Sequence, residues 1–304
     1  MPPTPEAVEC GICGATGLVR LFEARDRNFR TTEQVFAVCR CSACGVAQTL
    51  PRPSEAALAG FYPPSYYPTG GFGPEYYRRR ILPAQREKLN LLRRFRTSGR
   101  LLDAGCGAGF FVRAASEAGY AAEGVEMSRE AVEFGRRENG VRITQGDVLQ
   151  AGYPPGTFDI VTLWQVLEHL PRPVETLRRV HALLSPGGVL ITAVPNFASV
   201  QAQVFRSRWY HLEVPRHLYH FTPGTLRRLL ESEHFRVAAE SHTSGEHNWA
   251  GILGSIAPLA VPREQRAGRL IRYAVGRPLA RAGSALESAA GRGGTFALVS
   301  VQSR

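Results

Sequence analysis

The chain has 304 residues, room for one large core with smaller attachments, since single cores seldom grow past ~250 residues. Its hydrophobic fraction of 44% and charged fraction of 21% are those of a globular protein, and its longest apolar candidate, residues 249–261, falls short of the ~20 residues a membrane helix needs. The net charge of +11 comes mostly from arginines in residues 78–96 and beyond Val261, with Lys88 the only lysine, so an anionic partner and a merely solvated surface both fit it.

The opening residues, MPPTPEAVECG, have neither the basic start nor the apolar core of a secretory signal. A cytoplasmic, reducing location is therefore expected, and nothing in the pattern sets an oligomeric state. Residues 1–50 read as a cysteine module. The pairs C-G-I-C and C-S-A-C are separated by 27 residues, and each second cysteine precedes a glycine. Two residues between ligands let one tight turn present both sulfurs to a metal, so Cys10, Cys13, Cys41 and Cys44 form the expected zinc ligand set. Four thiolates leave no open coordination position, which makes the zinc structural. Disulfides and a thioredoxin-like redox pair fit less well, given the compartment and the lack of a strand–helix unit around either motif. Cys39 is the spare cysteine. Strand-like pieces, residues 18–22 and 34–39, suit a ribbon.

Residues 51–98 are expected to be a linker and a lead-in helix. The linker is punctuated by Pro63, Pro64, Pro68 and Pro74, and its Tyr66, Tyr67, Tyr76 and Tyr77 suit either simple packing or the lining of a cleft. Helical spacing of Ile81, Leu89, Leu92 and Phe95 then leads into the main domain, residues 99–245. There strand and helix patterns alternate: strands at 100–104, 121–125, 141–144, 158–164 and 189–194, with helices between. This order predicts a doubly wound parallel α/β sheet with ligands at the carboxyl ends of its strands.

Three features fall at those ends. The run LLDAGCGAGFF, residues 101–111, turns a buried strand through Gly105, Gly107 and Gly109 into a helix, which lets the backbone approach a ligand and offers it free N–H groups. Glu126 follows the second strand, 21 residues after Gly105, where a carboxylate can accept ribose hydroxyls. Asp147 follows the third strand and suits an adenine amino group. A dinucleotide loop would need G-x-G-x-x-G, and Phe110 stands at the third glycine position, so NAD fits less well.

These motifs, with GVEMS, GDV, FDIVTLWQVLEHL, LLSPGGVLITAVPN and HLYHFTPGTLRRLLE in the same order, resemble the class I S-adenosylmethionine-dependent methyltransferases. The resemblance is closest to the small-molecule branch with ubiquinone-type O-methyltransferases and, with the cysteine module and Tyr/Pro link, to bacterial polysaccharide, deoxysugar and natural-product enzymes. It implies a seven-stranded Rossmann-like sheet in which Gly105 and Gly107 face the methionine portion of S-adenosylmethionine, Glu126 its ribose and Asp147 its adenine. By the same resemblance Gln165 lies alongside it, and Asp103 holds the loop and reaches the amino group through water. Cys106, Met127 and Val148 complete the cofactor-facing set, with no chemistry assigned to Cys106.

Methyl transfer to a hydroxyl or carbon acid calls for a base. His169, just past the fourth strand, is the leading candidate and His217 the alternative. Residues 196–222 are read as a lid presenting Asn196, Trp209, Tyr210, Arg216 and His220 to the acceptor, with Arg216 suited to a phosphate or carboxylate. A capped helix from Thr222 and a strand from Phe235 follow. Residues 246–304 should form amphipathic helices, suited to packing or to peripheral membrane contact, and a last antiparallel strand at 295–301 near the sheet edge.

The expected function is methyl transfer to a small-molecule biosynthetic intermediate such as a nucleotide-linked sugar. RNA methylation is a rival because a zinc module and basic charge suit RNA; against it, residues 163–166 read Leu-Trp-Gln-Val in place of the N-P-P-Y type motif used on base nitrogens. A non-catalytic cofactor-binding partner subunit is the third reading.

Overall fold

The computed structural model describes residues 8–67, 77–242, 245–256 and 276–303, with backbone alone at 78, 80 and 245–247. Pro68, Pro74, Tyr76 and the arginine-rich stretch at 257–275 lie outside the described residues. Strands β1 (Leu18–Ala24), β2 (Phe36–Cys41) and β3 (Ala47–Leu50) come first, then the short helix α1 (Glu55–Leu58) and helix α2 (Leu82–Arg93). Alternation follows with β4 (Arg100–Ala104), α3 (Phe110–Glu117), β5 (Ala121–Glu126), α4 (Arg129–Glu138), β6 (Ile143–Gln145), β7 (Phe158–Trp164), α5 (Pro173–Leu183) and β8 (Leu184–Pro195). After α6 (Val200–Phe205) and β9 (Tyr219–His220) come α7 (Pro223–Ser232), β10 (Phe235–Ser241), α8 (Gly245–Ile256), α9 (Arg277–Ala289) and β11 (Thr295–Gln302).

Seven strands form the main sheet in the order β10-β11-β8-β7-β4-β5-β6. β4 to β8 run parallel, and β11 inserts antiparallel between β8 and β10, one strand in from the edge. The central strands are continuous apolar runs because helices cover both faces: Leu101, Leu102, Ile160, Val161, Leu163, Leu190 and Ile191 are fully buried. Helix α7 starts where Thr222 and Thr225 cap each other's backbone N–H groups, with Pro223 in the first turn. The chain crosses in opposite directions on either side of β4, between β5 and β7, which opens a crevice at the carboxyl ends there.

A second, antiparallel sheet has the order β1-β2-β3-β9. Its fourth strand comes from the distant segment 196–222: Gln48 pairs with Tyr219 and Ala47 with His220. The Thr49 N–H donates to the Leu218 carbonyl at 3.0 Å, and its hydroxyl donates to the His217 carbonyl at 2.7 Å. Ala24, Phe36 and Val38 of the module pack in one cluster with Trp209, Leu212 and Val214. The segment read from sequence as a lid thus lies between the module and the main sheet.

Candidate active site

The crevice widens into a cavity of about 910 Å³, within the range of small-molecule and cofactor sites. Asp103, Gly105, Cys106, Gly107, Glu126, Met127, Asp147, Val148 and Gln165 all line it. Gly105, Gly107 and Gly109 have φ of +73°, +53° and +72°, values that a side chain makes costly. A Cβ on Gly105 would stand 2.6 Å from Val166 Cγ2, whereas one on Gly107 would meet nothing within 4 Å. The space left by the absent side chain of Gly107 therefore belongs to the cavity. Glu126 holds the loop shape, its carboxylate accepting from the Gly107 N–H at 2.9 Å and the Ser128 N–H at 2.8 Å. Gln165 turns the chain at φ +58°, a left-handed conformation of the kind found at ligand sites.

Asp103 is buried at the end of β4 and accepts from the Thr162 hydroxyl at 2.6 Å. Burial pushes its carboxyl up to about 6, while Lys88 and Thr162 pull the other way. Lys88 also lines the cavity, with its ammonium 5.0 Å from the Trp164 ring centre and 5.6 Å from that of Phe111, and burial draws its pKa down. A carboxylate and an ammonium facing the same space suit a zwitterionic amino-acid end of a ligand. Asp147 Oδ1 accepts from the Leu149 N–H at 3.0 Å, and Val148 and Leu149 form an apolar wall beside it, as an adenine slot requires. These residues fit S-adenosylmethionine. Burial holds the Cys106 thiol well above its ordinary value, which disfavours the reactive thiolate.

The cover comes from the Tyr/Pro-rich linker: Tyr62, Tyr66 and Tyr67 line the cavity, whereas Tyr77 is buried against Phe110 and Arg113. Tyr62 and Tyr66 meet edge to face at 4.8 Å. His169 also lines the cavity, its Nδ1 3.0 Å from the Tyr62 hydroxyl. Burial and Arg216 hold its imidazole down at about 3, so it is neutral. His217 stands behind it, ring centres 4.4 Å apart and perpendicular, with Nδ1 donating to the His211 carbonyl at 2.8 Å. Glu168, His169 and His217 bring ligand-capable atoms within 4.8 Å of one another. Lys88, Tyr62 and Glu168 were not singled out from sequence as site residues; the isolation of Lys88 as the only lysine was the one signal.

Asn196, Trp209, Tyr210, Arg216, His217 and His220 do not line the cavity. Arg216 is wholly buried, donating to both Asp26 carboxylate oxygens at 2.6 and 3.0 Å and to the Phe61 carbonyl at 2.9 Å. His220 Nε2 is 3.0 Å from the Thr49 hydroxyl, and the Trp209 indole donates to Gln201 at 3.3 Å. The Tyr210 N–H donates to the Ser255 hydroxyl. Asn196 donates to the Gly293 carbonyl and accepts from the Ala198 N–H. Trp209, Tyr210, Arg216 and His220 thereby build the junction between module and core, while Asn196 ties the end of β8 to the turn before β11. In the C-terminal region α8 and α9 meet where Arg277 and Arg281 lie over the Trp249 ring. Among the described residues no helix is long and apolar enough to cross a membrane.

Cys10, Cys13, Cys41 and Cys44 converge, their sulfurs all within 4.8 Å. Cys10 and Cys44 Sγ are 3.7 Å apart, and Cys13 and Cys41 Sγ 3.6 Å. Four thiolates at ~2.3 Å from one zinc lie about 3.8 Å from each other, which these two separations match. Burial would raise the Cys41 thiol, but the Cys44 and Ala43 N–H groups and the neighbouring thiols hold it at about 7. Cys39 is outside the group, buried among Leu18, Ala37 and Leu50.

A doubly wound sheet with a glycine loop, two acids at successive strand ends and one large cavity defines a nucleotide-cofactor-binding α/β protein of the Rossmann-like class. The family model described as a methyltransferase domain matches residues 75–240, more than half of the chain. The chain belongs to this family, the class I S-adenosylmethionine-dependent methyltransferases. It is similar to the ubiquinone biosynthesis O-methyltransferases of Pseudomonas paraeruginosa, at 32% identity over 102 residues, and of Vibrio parahaemolyticus, at 35% over 103 residues. Each match covers 32% of this chain and 44% of the relative, so the chain spans less than half the length of these curated relatives. In fold it is similar to a putative sarcosine dimethylglycine methyltransferase from Galdieria sulphuraria, with TM-score 0.52 and 14% identity over 77% of this chain and 92% of the other.

Proposed function

We propose that this protein transfers the methyl group of S-adenosylmethionine to a hydroxyl or carbon of a small biosynthetic intermediate, with His169 as the base. One observation carries the reading: among the described residues His169 is the histidine that opens on the cavity, and it shares that cavity with Asp103, Gly107, Glu126 and Asp147. S-adenosylmethionine, when bound, supplies an electrophilic methyl group on a sulfonium. The chain's own part is to hold donor and acceptor in line, exclude water with Tyr62, Tyr66 and Tyr67, and take up the acceptor proton. The similarity to O-methyltransferases supports an oxygen acceptor. Among the described residues six acidic ones line the cavity, Glu55, Glu87, Asp103, Glu126, Glu130 and Asp147, against two cationic ones, Lys88 and Arg172. That balance favours a neutral acceptor end over nucleic acid phosphate.

The four cysteines are proposed to hold one structural zinc, and their reduced thiols suit a cytoplasmic setting. Calorimetric titration with S-adenosylmethionine and S-adenosylhomocysteine tests the main reading, with micromolar binding of both expected. Failure of both to bind, with clear NAD binding instead, would overturn it.

A further inference from the structure

One buried group has no use in the reading above. Glu168 is 1% exposed, and neither of its carboxylate oxygens has a hydrogen-bond partner. Leaving a polar carboxyl group so placed is costly unless a partner arrives during function. Its neighbours are His169 and His217, and only His169 of the three opens on the cavity.

The hydrogen bonds of His169 fix which nitrogen can take a proton. The Arg216 backbone favours a proton on the ring, and Nδ1 is the nitrogen that faces the Tyr62 hydroxyl. With the ring proton on Nε2, the Tyr62 hydroxyl, 3.0 Å away, donates to Nδ1. Tyr62 is kept protonated because burial pushes its phenol far above the ordinary value. His217 cannot substitute: its Nδ1 is tied to the His211 carbonyl, its Nε2 points toward Glu213 at 3.8 Å, and it does not reach the cavity.

We propose that Tyr62, His169 and Glu168 form a proton relay in which the Tyr62 hydroxyl touches the acceptor. The proposal rests on the methyl-transfer reading and deepens it. As an acceptor oxygen forms its bond to the methyl carbon, the sulfur–carbon bond breaks and its electron pair stays on sulfur. The acceptor O–H proton passes to the Tyr62 oxygen while the Tyr62 proton passes to His169 Nδ1. Glu168 is the positioning residue: its unpartnered carboxyl group lies within 4.8 Å of the ring that becomes an imidazolium only during turnover. Tyr62 belongs to the linker, so the relay is complete only while the linker covers the cavity.

Histidine-selective nitrogen NMR on the full chain saturated with S-adenosylhomocysteine tests the resting state without an acceptor. His169 is expected to carry its proton on Nε2, with an Nδ1 signal that shifts in Tyr62→Phe. A proton on Nδ1 overturns the relay. Labelled methyl transfer from S-adenosylmethionine into a small-molecule extract then supplies an acceptor for kinetics. Tyr62→Phe should lower kcat about 100-fold and Glu168→Gln about 10-fold, with cofactor affinity within about twofold of the parent. The pH–rate profile of Glu168→Gln should also shift, because Glu168, His217, Glu213, Arg216, Tyr62 and Tyr66 are the titratable and charged groups around His169. A structural role alone would move stability and KM but not that profile. Unchanged kcat in Tyr62→Phe overturns the relay while leaving methyl transfer standing, whereas wild-type protein that binds no S-adenosylmethionine counts against methyl transfer itself. Uptake of Mn2+ that is abolished by Glu168→Gln also overturns the relay, since the three side chains would then be metal ligands.

Discussion

Gly107 and Arg216 show how differently single residues serve this molecule. At Gly107 an added Cβ would meet nothing within 4 Å, and the φ of +53° resists it at a cost of about 1–3 kcal/mol. Gly107→Val should therefore fold, with a modest loss of thermal stability, while its isopropyl group occupies the ligand cradle. Titration calorimetry is expected to show S-adenosylmethionine affinity falling at least about 30-fold, or ~2 kcal/mol. Retained affinity would place the cofactor elsewhere. Arg216 is the converse case, since its guanidinium neutralises Asp26 inside the protein. Arg216→Met leaves Asp26 buried and unpaired, which costs ~3–5 kcal/mol. Urea unfolding should show that loss, and the folded fraction should bind S-adenosylmethionine as before. An unaltered unfolding midpoint would contradict the structural role.

At the scale of elements, the main sheet was legible because each strand carries its own reason to exist. The runs at β4, β7 and β8 are mostly apolar, and the glycine loop, Glu126 and Asp147 sit at or just past the carboxyl ends of their strands, so local order sufficed to place them. β9 had no such signal. It is two residues long, and it exists because Tyr219 and His220 pair with Gln48 and Ala47, about 170 positions earlier in the chain. In sequence, the Trp, Tyr, Arg and His residues of 196–222 look like those that meet substrates, yet burial against the module gives the same composition. The cover over the cavity was obscure for a related reason: a proline-punctuated tyrosine stretch has no periodicity to show which rings face inward. This coupling of β3 to β9 makes a prediction about the cysteines. On the proposal that the four thiolates hold one zinc, Cys41→Ser should lower the zinc content and loosen the turn into β3. Amide exchange should then rise about tenfold or more at Thr49 and residues 217–220, with β4 and β7 unaffected. Exchange confined to residues 10–45 would show that the module and the core are not coupled through β9.

Over the whole molecule, buried titrating groups oppose one another. Burial holds His169 and His220 at about 3 and His217 well below its ordinary value of 6.5, so each is neutral when folded and takes up a proton on unfolding. Their contribution to stability is complete above pH 6.5 and shrinks by ~1.4 kcal/mol per histidine for each pH unit below it. Burial acts oppositely on three carboxyls, raising Glu213 to about 7, Asp103 to about 6 and Glu168 well above the ordinary carboxylate range. These take up protons in the folded state first, so each regains a similar amount as pH falls toward 4.5. The two sets nearly cancel between pH 6.5 and 4.5, and the unfolding free energy should stay flat there to within about 2 kcal/mol. Below pH 4.5 the carboxyls of the unfolded chain are protonated too, and their gain stops. The histidines continue to lose stability, joined by Asp26, which burial would raise but which Arg216 and Thr31 hold at about 2. Stability should then fall by roughly 4 kcal/mol per pH unit. Removing one histidine breaks the balance: His220→Gln, although less stable at pH 7, should gain about 1 kcal/mol per unit as pH drops from 6.5 to 4.5. Urea midpoints at half-unit pH intervals check both curves, and a wild-type midpoint that falls steadily from pH 6.5 would show that the buried carboxyls do not offset the histidines.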